Sequence, residues 1–96
     1  MKGNKMTQET PTAIQLRVAR QHVAQWQATK TSAELTLETA ARFRELGIPD
    51  ERMEADAKMQ LRKTLAALGF VTERARELEQ ELALEQGEAE GDGAEG

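Results

Sequence analysis

The segment Leu46-Gly47-Ile48-Pro49-Asp50 decides the fold, because it can end one helix and begin another. Gly47 can adopt the left-handed conformation that closes a helix, and Ile48 can fold back onto the last turn. Pro49 cannot continue a helix, whereas Asp50 can cap the next one. The segment therefore predicts a sharp corner between two helices.

Two stripes of seam positions flank this corner. In both stripes the spacing alternates between three and four residues, which places the positions on one face of a helix. The first stripe comprises Leu16, Ala19, Val23, Trp26, Lys30, Ala33, Leu37, Ala40 and Arg44. The second comprises Glu54, Ala57, Leu61, Thr64, Leu68, Val71, Ala75, Leu78 and Leu82. The pattern predicts an all-α fold, an antiparallel coiled-coil-like hairpin of two long helices.

Local signals give the boundaries of this hairpin. Thr10 can cap a helix that has Pro11 at its first position. We therefore predict a helix over 11–46, a turn at 47–49 and a second helix over 50–86.

Two polar segments enclose the predicted hairpin. Residues 1–10 lack hydrophobic periodicity, and residues 87–96 are nearly all Gly, Glu, Asp and Ala. Neither segment has enough apolar surface to bury, so we predict that both are disordered. The net charge of −4 resides in the acidic tail, since residues 1–84 hold 13 basic and 12 acidic side chains.

A three-helix variant stays open at this point. The first helix could break at Thr29-Lys30-Thr31-Ser32, where Thr31 and Glu34 match a capping box. The second could break at Gly69. We favour two unbroken helices, because both stripes keep their phase and one interior Gly costs only about 1 kcal/mol.

The register of the two helices is also open. A turn centred near Ile48 pairs residues whose numbers sum to about 97, which sets Arg44 beside Glu54. Ideal heptad matching would instead require a sum of about 94 or about 101.

Six apolar positions away from the seam indicate a second packing face. A lone hairpin would leave them in water, although scattered exposed apolar residues are normal. These candidate partner-binding residues are Ile14, Val18, Leu35, Phe43, Met59 and Phe70. They favour a protein partner or a second copy, and a homodimer would complete a four-helix bundle. The expected function is a self-associating, non-enzymatic interaction module, such as an adaptor, assembly factor, inhibitor or structural subunit.

The sequence contains no recognisable motif for catalysis, cofactor binding or metal binding. His22 is the only histidine and there is no cysteine, so we expect no catalytic, cofactor or metal site. No apolar run is long enough to span a bilayer, and we expect a cytoplasmic protein without a membrane partner.

The alternative function is a small nucleic-acid-associated regulator that uses rows of cationic side chains. The candidate contacts are Arg17, Arg20, Arg42, Arg44, Arg62 and Lys63. Acidic residues interleave them and the isoelectric point is about 5.0, whereas duplex binding normally requires a positive surface. We therefore favour the protein-interaction hypothesis.

Overall fold

The described part of the chain, residues 9–95 of a computed structural model, is an antiparallel hairpin of two helices. Side chains are described for residues 9–87. Helix α1 spans Pro11–Glu45 and helix α2 spans Glu51–Glu95. The hairpin is elongated, with principal extents of 73 × 28 × 15 Å. The predicted all-α hairpin is confirmed.

The end of α1 is a Schellman motif, as its sequence predicts. Gly47 adopts a φ of 82°. Its N–H donates to the carbonyl of Arg44 (3.1 Å), and the N–H of Ile48 donates to the carbonyl of Phe43 (2.9 Å). These two bonds satisfy carbonyls that a helix end would otherwise leave unpaired. Leu46 is the cap, so α1 ends one residue before the predicted boundary.

Side chains cap the start of each helix. The Oγ1 of Thr10 accepts a hydrogen bond from the N–H of Ala13 (3.1 Å). The Oδ1 of Asp50 accepts one from the N–H of Met53 (3.0 Å). Both caps were predicted, but Asp50 lies just outside α2, which begins at Glu51.

Both helices continue without a break through the segments where the sequence allows one. In α1 the hydroxyls of Thr29 and Thr31 donate to the carbonyls of Gln25 (3.1 Å) and Gln27 (3.2 Å), one turn back. The Thr31 hydroxyl therefore serves the helix interior and caps no new helix. In α2 the helix continues through Gly69. The two-helix prediction holds over its three-helix variant.

Burial follows the predicted seam. The buried side chains in the described residues are all seam positions: Leu16, Ala19, Ala33, Ala40, Ala57, Thr64, Leu68, Ala75 and Leu78. Five of these nine are alanines, so the seam buries little apolar area per residue. Thr64 is fully buried, and its hydroxyl donates to the carbonyl of Gln60 (2.7 Å). The polar atom inside the seam is therefore satisfied.

A cluster of buried hydrophobic residues lies at the end of the hairpin remote from the corner. Leu16 and Ala19 of α1 pack there with Ala75 and Leu78 of α2. Val23 and Leu82, both half-buried, extend this cluster.

Three polar contacts between the helices locate the register. They join Thr12 to Glu85, Arg20 to Glu79 and Arg44 to Glu54. The paired numbers sum to 97, 99 and 98. The contacts thus follow the turn-centred expectation, including the predicted pairing of Arg44 with Glu54.

The second helix extends further than its sequence pattern indicates. We predicted its end at Gln86, whereas the helical backbone continues to Glu95. The Ala and Glu residues of this stretch favour a helix and no Pro interrupts it, whereas its three glycines oppose a helix. Disorder of residues 87–96 in solution stays a prediction, and the predicted disordered segment 1–10 lies largely outside the described residues.

Candidate interaction surfaces

The side of α1 opposite the seam carries a second stripe at the same alternating spacing. We call it the α1 outer stripe; it consists of Ile14, Val18, Gln21, Gln25, Ala28, Ser32, Leu35 and Thr39. All eight residues are exposed and none is charged. Exposed faces of helices normally carry charged residues, so this stripe differs from an ordinary solvent face.

Three apolar side chains and a shallow groove shape this stripe. Leu35 is 55% exposed, Ile14 42% and Val18 41%. The groove lies beside Leu35, and its walls are formed by Ala28, Thr31, Ser32, Leu35, Thr36 and Thr39. Small and β-branched side chains form most of these walls, so an apolar side chain from outside could enter without meeting a charge.

The equivalent side of α2 has a different character. Its exposed α2 outer stripe consists of Arg52, Asp56, Met59, Lys63, Ala66, Phe70, Glu73 and Glu77. Five of the eight residues are charged. Met59 and Phe70 are 54% and 74% exposed but stand between charged neighbours. Packing this stripe against another protein would remove those charges from water, which is costly unless each finds a partner.

The six candidate partner-binding residues fall into three places. Ile14, Val18 and Leu35 share the α1 outer stripe, whereas Met59 and Phe70 lie on the opposite side of the hairpin. Phe43 is half-buried beside the corner. All six were predicted because they are apolar and lie away from the seam, whereas the missing charge along α1 identifies one stripe. This absence of charge can be found in the sequence once its residues are arranged at the helical period.

The six candidate nucleic-acid contacts divide into two groups. Three are engaged with carboxylates: Arg17 with Glu9 (2.5 Å), Arg20 with Glu79 (3.0 Å) and Arg44 with Glu54.

The other three, Arg42, Arg62 and Lys63, are exposed and form no ion pair among the residues whose side chains are described. Arg42 lies near the corner, while Arg62 and Lys63 lie on the other helix. The six do not form a continuous cationic row. Nucleic-acid binding stays a prediction, to be checked by retention on DNA or RNA at low salt with and without residues 87–96.

Two charged seam residues have local partners. The pKa of Glu54 is lowered chiefly by a hydrogen bond from the Arg44 side chain, with a further contribution from Lys58 at 3.7 Å. Lys30 extends to the edge of the seam, where its Nζ lies 3.1 Å from Glu34. Both arrangements keep charged ends accessible to water.

The described residues include no group of His, Cys, Asp or Glu arranged to hold a metal ion. Neither helix, over the residues described, is apolar enough along its length to cross a membrane. Comparison of the chain with known protein families, with curated proteins and with solved structures found no match.

Proposed function

We propose that this chain is a non-enzymatic helical interaction module that self-associates as a dimer of hairpins. The observation that carries the proposal is the α1 outer stripe, which is exposed, uncharged and spaced like a packing seam. Apolar residues at heptad spacing form the seams by which helices of separate chains meet, and three of the eight stripe residues, Ile14, Val18 and Leu35, have large apolar side chains.

The alanine-rich seam supports the same proposal. Alanines bury little apolar area, and a single core in so short a chain provides little stability. Burial of a second face between two copies would add the apolar area that the hairpin lacks.

Within this proposal the chain acts by binding protein, as an adaptor, assembly factor, inhibitor or structural subunit.

We also infer a cytoplasmic location, because the chain has no cysteine and an oxidising compartment could form no disulfide in it. Cell fractionation with an antibody against the chain tests the location.

The concentration dependence of thermal unfolding tests self-association. If two copies fold together, the midpoint of unfolding rises with protein concentration, because mass action favours the associated state. We expect a clear rise across about a hundred-fold range of concentration, followed by circular dichroism. A midpoint independent of concentration, together with cooperative unfolding, would show that the hairpin is complete alone.

A further inference from the structure

We propose that the second copy binds along the α1 outer stripe, with the two α1 helices antiparallel and related by a two-fold axis. Because the stripe lies opposite the seam, the four helices of this dimer form one layer and do not surround a common core. This inference rests on the proposed function and identifies the surface and the residues that meet. The stripe spans residues 14–39, which is about 38 Å of helix at about 1.5 Å per residue.

An antiparallel arrangement matches this stripe to itself. Placing Val18 opposite Leu35 of the second copy also sets Gln21 opposite Ser32 and Gln25 opposite Ala28. In each layer a residue followed by a step of three faces a residue followed by a step of four, as in an antiparallel coiled coil. Larger side chains thus meet smaller ones near the two-fold axis, and each pairing occurs twice.

The groove beside Leu35 accommodates this pairing. In the same arrangement Val18 of the second copy lies over the groove, whose walls include Ser32, Leu35 and Thr39. A shift of one heptad would instead place Val18 opposite Arg42, leaving a cation against an apolar side chain. The absence of charge along the stripe therefore favours the first arrangement over this shift.

Charges at the border of the stripe complement each other in this arrangement. Arg17 adjoins Val18 and comes to lie beside Glu38 of the second copy, and symmetry creates the pair twice. The Arg17 side chain is 56% exposed while it contacts Glu9, so its remaining donors are accessible. Glu38 is exposed and forms no ion pair among the residues whose side chains are described. The border thus brings opposite charges together.

Charge reversal tests this border directly. R17E and E38R each place like charges together twice, so we expect each to weaken dimerisation about ten-fold in sedimentation velocity. The double variant R17E/E38R restores opposite charges and should recover the wild-type dissociation constant. E9Q is the matched control: it removes the intramolecular partner of Arg17 and should leave dimerisation unchanged. Circular dichroism checks that every variant stays helical.

Single cysteines identify the face independently, since the chain has none of its own. Ala28 lies near the proposed two-fold axis on α1, and Ala66 lies at the matching place on the α2 outer stripe. A short bis-maleimide should cross-link A28C into dimers and leave A66C monomeric on a denaturing gel.

The outcomes separate this inference from the proposed function. Two outcomes would overturn the α1–α1 arrangement while self-association stands. One is cross-linking of dimers through A66C. The other is a loss of affinity in the single reversals that the double variant does not recover. A wild-type chain that stays monomeric would overturn both.

Discussion

Arg44 in the last turn of α1 donates a hydrogen bond from Nη2 to the Oε1 of Glu54 in the first turns of α2. The pair bridges the two helices across the base of the corner, outside the Schellman turn. It places a basic residue at a helix C-terminus and an acidic residue near a helix N-terminus, where each suits the helix dipole. The corner is thus held by backbone geometry and by one interhelical contact.

The stability of the hairpin should depend on the ionisation of Glu54. Hydrogen bonding to Arg44 lowers the pKa of Glu54 below its usual value of 4.5. A lowered folded-state pKa stabilises the fold above the unfolded pKa, and this contribution is lost as pH falls through the folded pKa. We expect E54Q to unfold at a lower temperature than wild type near neutral pH, and the difference to close in acid.

E81Q is the control for that experiment, because it removes an exposed carboxylate that has no ion pair among the residues whose side chains are described. A difference between wild type and E54Q that stays constant from neutral to strongly acidic pH would contradict the assigned role of the Arg44 contact.

The two glycines at the centre of the chain should respond oppositely to alanine. Gly47 has a φ of 82°, where an added Cβ is strained although nothing lies within 4 Å of it. We expect G47A to lose about 1–2 kcal/mol. Gly69 lies in the helix interior with equally open space, so G69A should gain up to about 1 kcal/mol. Urea unfolding measures both, and the same sign for the two variants would contradict the assigned turn.

Leu78 should carry a large share of the hairpin's stability. It is 1% exposed in the cluster with Leu16 and Ala75. Truncation to alanine removes about 2–5 kcal/mol from such sites, which is comparable to the whole stability of a small fold. We expect L78A to be largely unfolded by circular dichroism. L84A, whose side chain is 67% exposed, should change the free energy of unfolding by less than about 0.5 kcal/mol.

Lys30 should reduce stability relative to an apolar residue at the same seam position. Its side chain is 34% exposed and forms an ion pair with Glu34 at the seam edge. K30L adds apolar surface to the seam, and we expect a gain of about 1 kcal/mol in urea unfolding. K30Q removes the ion pair alone and should change stability little. A loss of stability in K30L would show that the seam has no room for an apolar side chain here.

The seam and the corner could be predicted from sequence because both depend on local rules. Helical spacing fixes which residues share a face, and every buried residue within 9–87 lies on the predicted seam. The corner depends on Gly47, Pro49 and Asp50, whose conformational preferences are strong. The register could not be fixed, because many alanines in the seam allow several pairings of similar packing.

The candidate interaction residues stay a prediction. Ile14, Val18 and Leu35 are exposed on the α1 outer stripe, whereas Met59 and Phe70 are exposed on the opposite side of the hairpin. Phe43 is half-buried because it borders the seam beside the corner. The end of α2 was the other weak point, since Gly87 directly after Gln86 indicates a stop, whereas the helix continues to Glu95.

The mass of the full chain in solution tests the central claim most directly. Sedimentation equilibrium at micromolar concentrations should give a species of twice the 10.7 kDa chain mass, dissociating reversibly on dilution. A folded, cooperatively unfolding species of 10.7 kDa at every concentration would contradict the claim that two hairpins associate.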